Sequence, residues 1–371
     1  MAATRFQCMR SACPVTVEGV ALQRSCADPA RSLPELIFDC VRAALADAGV
    51  RMADVDSVCL AAEDLIDGRS LSSMITGPAA GAYLREEIRL SEDGLAALSL
   101  GAAQVQSHDF ERVVVAAWGR ASEGDPQRSG ARSFDPFTEQ PLGLSELAVS
   151  ALRASGYLKR RGGDMPRRAE AAQARADRAG ANPRAAARPV RTVPAPFPLR
   201  PAELRTETDA VAAVVLGRAP AGIAVTGVGH AAESRHLGER DLTAMVSARD
   251  AARAALAQSG LDWDDLGVLE LAGTTLFDEI LLLESIGLAA AGTGADAFLA
   301  DARVNPSGGG AAGDCEPATG LLRFAEAVLR LRDGPARDGP AREGRAMRAG
   351  LVVSGSAVGG QTHTAVVIEA P

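Results

Sequence analysis

The apolar positions near the start of the chain change from an alternating spacing to a helical one. Residues 14–22 alternate and predict a strand. The segment Ser32-Leu33-Pro34-Glu35 combines an N-cap serine, an early proline and a glutamate three residues after the serine, so it predicts a helix start. Apolar residues then recur at helical spacing up to Gly49, the predicted C-cap. The short apolar run 58–62 predicts a buried strand.

The same unit returns in the second half of the chain. Residues 39–50 match residues 250–261 at seven of twelve positions without a gap. A predicted helix at 94–106 that leads to a strand at 113–119 likewise corresponds to a helix at 320–331 that leads to a strand at 351–355. A duplicated unit with apolar strands bounded by helices predicts parallel sheets that are covered on both faces.

Composition narrows the class of protein. Hydrophobic residues make up 47% of the 371 residues and aromatic residues only 4%, which is typical of tightly packed α/β layers. The net charge of -8 argues against nucleic acid as the partner. With no apolar run of about 18 residues and no apolar signal segment near the N-terminus, neither a membrane span nor secretion is predicted.

Cysteine and histidine spacing gives no sign of metal binding. The six cysteines stand at irregular spacings and the four histidines form no close pair, so we expect no metal site and no disulfide framework. We therefore expect a cytoplasmic protein with reduced thiols. The tandem copies of Asp-Gly-Pro-Ala-Arg at 333–342 predict a surface hairpin.

The most informative stretch is the glycine-rich segment 305–320, which reads NPSGGGAAGDCEPATG. It follows an apolar run and opens a helical pattern. A glycine-rich turn at a helix N-terminus offers N–H donors and a positive dipole end to an anionic ligand. The same pattern is also typical of a tight strand-to-helix turn that binds nothing.

NPSGG, a short spacer and ATG before a helix resemble the signature of the thiolase superfamily, whose active members carry NPSGG…GHP…GATG. The resemblance covers nearly the whole chain. It implies an α/β fold, a duplicated five-layer α/β/α/β/α sandwich with an inserted loop domain. The N-terminal half is assigned to residues 1–119 plus 201–218, the inserted domain to 120–200, and the C-terminal half to 219–371.

The segment 120–200 is rich in Arg, Ala, Pro and Gly, and insertions of this length are commonly lids or binding loops. In thiolases a loop domain at this place holds the pantetheine and adenine ends of coenzyme A. The basic residues that could meet coenzyme A phosphates are Arg153, Lys159, Arg160 and Arg161. The same residues would also fit a solvated helical face.

A thiolase needs a nucleophile, two bases and oxyanion donors. The family's nucleophilic cysteine stands in a CxSG turn at a helix N-terminus, where the dipole lowers its pKa. Here that turn is Ser91-Glu92-Asp93-Gly94, so the resemblance puts Ser91 at the nucleophile position. A serine nucleophile depends on an adjacent general base. Ser91 also fits a plain N-cap, with Glu92 and Asp93 in the first turn.

The other catalytic positions are changed as well. Asp314 stands where the family has its catalytic histidine. An ionised aspartate could act as a base, but it cannot donate to an oxyanion. Ser356 stands at the second cysteine, in a turn that resembles CxGGGQG, and Ala272 replaces the polar residue of the NEAFA-like turn. The residues that the resemblance places beside the coenzyme are Asn305, Gly308, Gly309, Gly359 and Gly360.

Four changed positions argue for loss of the thiolase reaction, but another constellation could replace it. Cys315 and His363 stand in two loops that converge in the family's fold, so they could form a nucleophile and base pair. Some thiolase-like proteins are aldolases that use tyrosines. Tyr83 and Tyr157 both lie outside the loops that would form the site.

We therefore expect a catalytically degenerate subunit of acyl-CoA or acyl-carrier metabolism that pairs with an active thiolase-like chain in an acyltransferase of the thiolase type. The alternative is an enzyme in its own right, an acyltransferase or a C–C bond forming or cleaving enzyme that uses Ser91 or Cys315. No bound cofactor is expected, and a coenzyme A thioester is the candidate substrate. The expected partners are a homologous thiolase-like subunit, in a hetero- or homodimer, and a small OB-fold acyl-CoA-binding protein.

Overall fold

The computed structural model describes residues 14–25, 30–64, 73–161, 167–333, 348–356 and 358–371, so the predicted hairpin at 333–342 lies outside them except for Asp333. The strands are β1 (Val15–Ser25), β2 (Ser57–Ala61), β3 (Glu86–Leu90), β4 (Val113–Arg120), β5 (Asp209–Gly217), β6 (Ile223–Ala232), β7 (Leu266–Leu271), β8 (Ala349–Ser356) and β9 (Thr362–Glu369). The helices are α1 (Leu33–Ala48), α2 (Ser73–Ala79), α3 (Gly94–Gln106), α4 (Pro126–Arg132), α5 (Glu146–Arg161), α6 (Arg168–Ala181), α7 (Val246–Ser259), α8 (Leu276–Ile286), α9 (Gly294–Ala300) and α10 (Thr319–Arg332).

These strands form one sheet in the order β3-β2-β4-β5-β1-β6-β9-β8-β7. The pairs β2/β3, β2/β4 and β7/β8 are parallel. The prediction of parallel sheets is wrong for β1, β5, β6 and β9, which pair antiparallel with their neighbours. For β8 and β9 the reason is the short connection between them, since a parallel pair needs a long crossover.

The sheet has two halves, each covered by helices on both faces. β1 and β6 join the halves through three residue pairs. Helices α3 and α10 contact each other and strands of both halves, while α1 covers the outer face of the first half and α7 that of the second. The layers are therefore α1, half sheet, α3 with α10, half sheet and α7, which confirms the duplicated five-layer α/β/α/β/α arrangement.

Local sequence signals explain where these helices begin and end. The capping box of Ser32 and Glu35 starts α1, and Gly49, with a φ of 68°, ends it as predicted. Helix α3 spans the predicted residues and is buried around most of its surface. A helix in a central layer is expected to be apolar on all sides, as α3 is. A helix in an outer layer, such as α1, needs only one apolar face.

Between β4 and β5 the chain forms α4, α5 and α6. Helix α5 packs on α8, and α6 contacts the glycine-rich turn at 309–312. Two buried ion pairs anchor α6, Arg168 with Glu203 and Arg175 with Glu279. This segment therefore packs on the C-terminal half next to the loops that matter for function.

Candidate functional site

One buried carboxylate, that of Asp93, joins the N-termini of α3 and α10. Asp93 Oδ1 accepts a hydrogen bond from Leu95 N at 2.9 Å, and Oδ2 accepts one from Gly320 N at 2.8 Å. A Cβ on residue 320 would collide with Asp93 Oδ1, so this close approach needs glycine. Burial raises the pKa of Asp93 to about 7, although both N–H donors favour the ionised form.

Ser91 lies outside this capping arrangement. It is exposed and stands three residues before the first residue of α3. The N-cap is therefore Asp93, and the expectation of a cap at Ser91 is wrong, because the cap must directly precede the first helical residue. The neighbouring carboxylate of Glu92 contacts Ser356 Oγ at 3.4 Å, and Ser356 Oγ also lies 2.9 Å from Thr362 Oγ1.

Asp314, at the position expected for a catalytic histidine, belongs to a buried ion pair. Arg323 Nη2 donates to both of its carboxylate oxygens at 2.6 Å, and both side chains are fully buried. Both oxygens of this carboxylate are bonded to the guanidinium inside the protein, so neither is placed to act on a substrate. The expected base is therefore a structural partner of α10.

Cys315 and His363 do not form the expected pair. The thiol of Cys315 is buried in the core between the two half sheets, and its Sγ lies 3.7 Å from Glu316 O. His363 Nδ1 instead lies 2.8 Å from Ser247 Oγ of α7, on the outer face of the second half. The sheet separates the two side chains. His363 lies on the same face of β9 as Ala365 and Val367 of the outer core, whereas Cys315 packs in the central core with residues from the opposite face of β9.

Burial also makes both groups poor catalysts. It raises the pKa of the Cys315 thiol far above its ordinary value, so the thiolate is scarce. Burial lowers the pKa of His363 to about 3, and the positive charges of Arg153 and Arg240 add to the effect. His363 is therefore a neutral ring bound to Ser247, whose hydroxyl also contacts Glu233 at 2.9 Å.

The glycine-rich turn uses its polar groups within the protein. The Asn305 amide donates to Leu271 O at 3.0 Å and to Glu279 Oε2 at 2.9 Å, and Gly310 N donates to Glu279 Oε1 at 2.9 Å. A Cβ on Gly308, whose φ is 99°, would collide with the backbone of Ala179 in α6. These contacts indicate a tight turn packed under α6, and they give no support to coenzyme contacts from Asn305, Gly308 or Gly309.

The turn that holds Gly359 and Gly360 is clamped from two sides. Gly359 N donates to Glu146 Oε1 at 2.9 Å, and Gly359 O accepts from Arg153 Nη2 at 3.0 Å and Arg240 Nη1 at 3.1 Å. Burial, together with the charge of Glu316, raises the pKa of Glu146 to about 8. The cavity beside Gly360 has a volume of about 10 Å³, which is room for one water molecule.

The basic residues expected to meet coenzyme A phosphates have mostly other partners. Arg153 is buried and pairs with Asp278 at 2.5 Å. Arg160 pairs with Asp241 at 2.8 Å, and Arg161 lies over the ring of Tyr157 at 5.6 Å. Lys159 is exposed. The solvated-face interpretation therefore fits this end of α5 better than a phosphate site.

Three arginines that the sequence patterns did not single out form ion pairs around the glycine-rich turn and the segment that follows it. Arg205 pairs with Glu316 at 2.5 Å, and Arg24 pairs with Glu326 at 2.6 Å. With Arg323 they surround the segment that follows the glycine-rich turn. A signal was present, because Arg323 and Glu326 interrupt the apolar face of a buried helix. Charged residues at such positions need buried partners.

A larger depression, with a volume of about 790 Å³, lies on the surface at the start of β3 and is lined by Val55, Asp56, Tyr83, Leu84, Arg85 and Glu86. Within the described ranges, His, Cys, Asp and Glu side chains form no group of three or more that could hold a metal ion. The helices among the described residues are all too short or too polar to cross a bilayer.

Comparison with known proteins extends these observations. The family model described as "Thiolase C-terminal domain-like" matches residues 229–369. No curated protein matches the chain. Among solved structures, the Ltp2-ChsH2(DUF35) aldolase is similar with a TM-score of 0.77 and 20% identity, over 96% of this chain and 98% of that one.

Two further structures have the same fold. A monomeric SCP2-thiolase like protein type 1 from Mycobacterium smegmatis has a TM-score of 0.74 and 17% identity, over 96% of this chain and 77% of that one. Human mitochondrial 3-ketoacyl-CoA thiolase has a TM-score of 0.71 and 14% identity, over 97% and 99% of the two chains. The same human enzyme in complex with CoA is similar with a TM-score of 0.68.

Proposed function

We propose that the chain is a catalytically degenerate thiolase-like subunit of acyl-CoA or acyl-carrier metabolism, which pairs with an active thiolase-like chain. The match of residues 229–369 to the thiolase C-terminal family model and the thiolase-like fold support this proposal. The observation that carries the proposal is the buried ion pair of Asp314 and Arg323. The resemblance puts Asp314 at the place of the histidine that the reaction needs, and both of its carboxylate oxygens are bonded to Arg323 inside the protein.

The other residues expected at catalytic positions also support the loss of the thiolase reaction. Ser91 is exposed, and the carboxylate beside it contacts Ser356. Cys315 is a buried thiol with a raised pKa, and its expected base His363 faces another layer. A nucleophile without an activating base does not form acyl intermediates at a useful rate.

The small volume of the cavity near the expected catalytic residues also supports the proposal. Ligand pockets for molecules of drug size usually enclose about 300–1,000 Å³. The cavity beside Gly360 has about 10 Å³, and Arg153, Glu233 and Arg240 are among the residues that line it. The larger depression, of about 790 Å³, lies at the start of β3, the end of that strand away from Ser91. We therefore assign the binding of the acyl thioester to the partner chain, and a structural role to the proposed inserted domain, residues 120–200.

The exposed edge of β3 is the proposed pairing surface. Strand β3 stands at the end of the sheet, and β2 is its neighbour. An edge strand with open N–H and C=O groups pairs readily with a strand of another chain. An antiparallel partner strand with a basic residue opposite Glu87 would form a cross-strand ion pair there, whereas Arg89 already pairs with Asp64 at 2.7 Å. The similar Ltp2-ChsH2(DUF35) structure is itself a two-component assembly.

The test is purification of the tagged chain from its native host, with mass spectrometry of its partners and of covalent acyl adducts. We expect a thiolase-like chain in equal amount and no adduct on this chain. Glu87→Arg should release that partner, whereas Glu111→Arg, an exposed charge away from β3, should not. A homo-oligomer that carries an acyl group on Ser91 or Cys315 would show instead that the chain is an enzyme in its own right.

A further inference from the structure

The loop that leads into β3 exposes two large side chains beside the open edge of the sheet. Tyr83 is 69% exposed and Leu84 is 87% exposed. With Val55 they line the depression of about 790 Å³ at the start of that strand. A depression of this size, with exposed aromatic and aliphatic walls, is typical of a surface that another molecule covers.

Hydrogen bonds hold this loop in place before anything binds. The guanidinium of Arg85 donates to four backbone oxygens at 2.8–3.3 Å, those of Met52, Val55, Gly81 and Tyr83. Leu84, directly before this arginine, has a φ of 57°, a backbone conformation that leucine rarely adopts. Because the loop is already ordered, a partner that covers it loses little binding free energy in ordering it.

The surface around the depression is acidic. Asp56 and Glu86 line it and are exposed, and the exposed Glu87 follows on β3. The one arginine in the lining is Arg85, whose guanidinium is bonded to backbone oxygens. Two further arginines in segments that contact the loop are compensated, Arg51 by Asp54 at 3.3 Å and Arg112 by Glu18 at 2.8 Å. The exposed carboxylates therefore outnumber the remaining positive charge.

The depression continues the exposed edge of β3. Gly77 of α2 lies beside this strand, since a Cβ on Gly77 would be 3.2 Å from Glu87 Oε1. The same helix exposes the apolar side chains of Met74 and Ile75. The loop, the strand edge and α2 therefore form one continuous surface, and a chain that pairs along β3 would lie against all three.

We propose that this depression receives an arginine or lysine of the partner chain, from just beyond the end of the partner strand that pairs with β3. In an antiparallel pair, the start of one strand lies beside the end of the other. The aliphatic stem of the basic residue packs on Val55 and Leu84. Its charge lies between Asp56 and Glu86, near the ring of Tyr83. The inference rests on the proposed function, because the occupant belongs to the active thiolase-like chain.

The same charges disfavour a second copy of this chain as the occupant. In an antiparallel pair of two β3 strands, the residues after Leu90 of one copy would approach the depression of the other. These residues are Ser91 and Glu92, so a second copy would bring a further carboxylate to an acidic rim. An anionic ligand such as coenzyme A would meet the same repulsion. A basic residue of a different chain removes it, so charge selects the partner.

The experiment uses the partner chain that co-purifies from the native host, prepared separately and titrated into variants of this chain by calorimetry. Leu84→Ser and Glu86→Lys should each lose at least about tenfold in affinity, because the first removes an apolar contact and the second repels the basic residue. The matched controls are Leu142→Ser, at a leucine 74% exposed on another loop, and Glu170→Lys, at an exposed position of α6. Both should bind like the unaltered chain. Changing the partner's basic residue to glutamate should restore binding to the Glu86→Lys variant.

Equal affinity in the unaltered chain, Leu84→Ser and Glu86→Lys would overturn the inference. So would a partner sequence with no arginine or lysine in the few residues after its pairing strand. A homodimer of this chain that Leu84→Ser dissociates would assign the depression to a second copy instead. If a partner co-purifies and binds both variants fully, this inference fails and the subunit proposal stands, whereas absence of any thiolase-like partner would overturn both.

Discussion

Asp93 Oδ2 accepts a hydrogen bond of 2.8 Å from Gly320 N, although the two residues are 227 positions apart. Through this bond and the one from Leu95 N, a single carboxylate caps both α3 and α10. These helices correspond to each other in the duplicated halves, and both belong to the central layer. The contact therefore connects the two halves at the point where related helices begin.

Replacing Asp93 should destabilise the protein more than the loss of an ordinary cap. An N-cap contributes about 0.5–2 kcal/mol, and Asp93→Ala removes the acceptor from two helices, so we expect a loss of about 2–3 kcal/mol. Urea unfolding followed by circular dichroism measures it. Ser32→Ala, which removes one exposed cap from α1, is the control and should cost about 1 kcal/mol. Equal losses in both variants would contradict the double cap.

Stability should fall as pH rises through the neutral range. Burial raises the pKa of Asp93 and of Glu270 to about 7, so the folded chain holds protons that the unfolded chain has already released. The unfolded state binds fewer protons there, and the free energy of unfolding therefore decreases with pH. Urea midpoints at about pH 6.5 and about pH 8.5 should show this fall. Asp93→Asn should reduce it, and an unchanged slope would contradict the assignment.

His363 should lower the stability of the folded protein at acid pH. Its folded pKa of about 3 lies below the unfolded value, so the neutral ring contributes stability that is present above about pH 6.5 and is lost as pH falls. His363→Gln removes the titration and keeps a polar side chain beside Ser247. We expect this variant to lose less stability between about pH 6.5 and pH 4 in an acid titration. A variant as acid-sensitive as the parent would show that other groups dominate.

The pair of Asp314 and Arg323 should behave as a buried ion pair. Asp314→Asn leaves the guanidinium uncompensated and should cost about 3–5 kcal/mol, and Asp314→His should not bring back thiolase activity. The double variant Asp314→Leu with Arg323→Met should recover most of the loss, since well-packed apolar residues can replace such a pair. Unfolding free energies of Asp314→Leu, of Arg323→Met and of the double variant give the coupling between the two residues. Additive losses would argue against the pair.

Gly308 should be required for packing and not only for its backbone conformation. Gly308→Ala introduces both a strained φ and a collision with α6, so we expect a loss well above about 1 kcal/mol. Gly292 has a similar φ of 96°, and no atom lies within 4 Å of the place that a Cβ would take there, which makes Gly292→Ala a matched control for the strain alone. Thermal unfolding of both variants separates the two effects. Equal shifts in melting temperature in the two variants would show that the collision with α6 does not contribute to the loss.

Sequence patterns determined the elements and the architecture. The capping box at Ser32, the glycine at 49 and the start of α3 at Gly94 act within a few residues, so local sequence is enough to predict them. The repeat between 39–50 and 250–261 indicated the duplicated halves because related segments adopt related folds. The antiparallel pairing of β1 with β5 and of β6 with β9 brings together segments far apart in the chain, and the local pattern does not contain that information.

The tertiary structure decided which side chains of the candidate site contact one another. Whether Asp314 is available as a base depends on Arg323, and whether His363 meets Cys315 depends on the face of β9 from which His363 projects. Glu279 reaches the turn at Gly310 from α8, and Gly359 is held by arginines from two other segments. The sequence names the groups that could react. Their charge state and their partners follow from burial and from contacts between residues far apart in the chain, which the folded structure alone brings together.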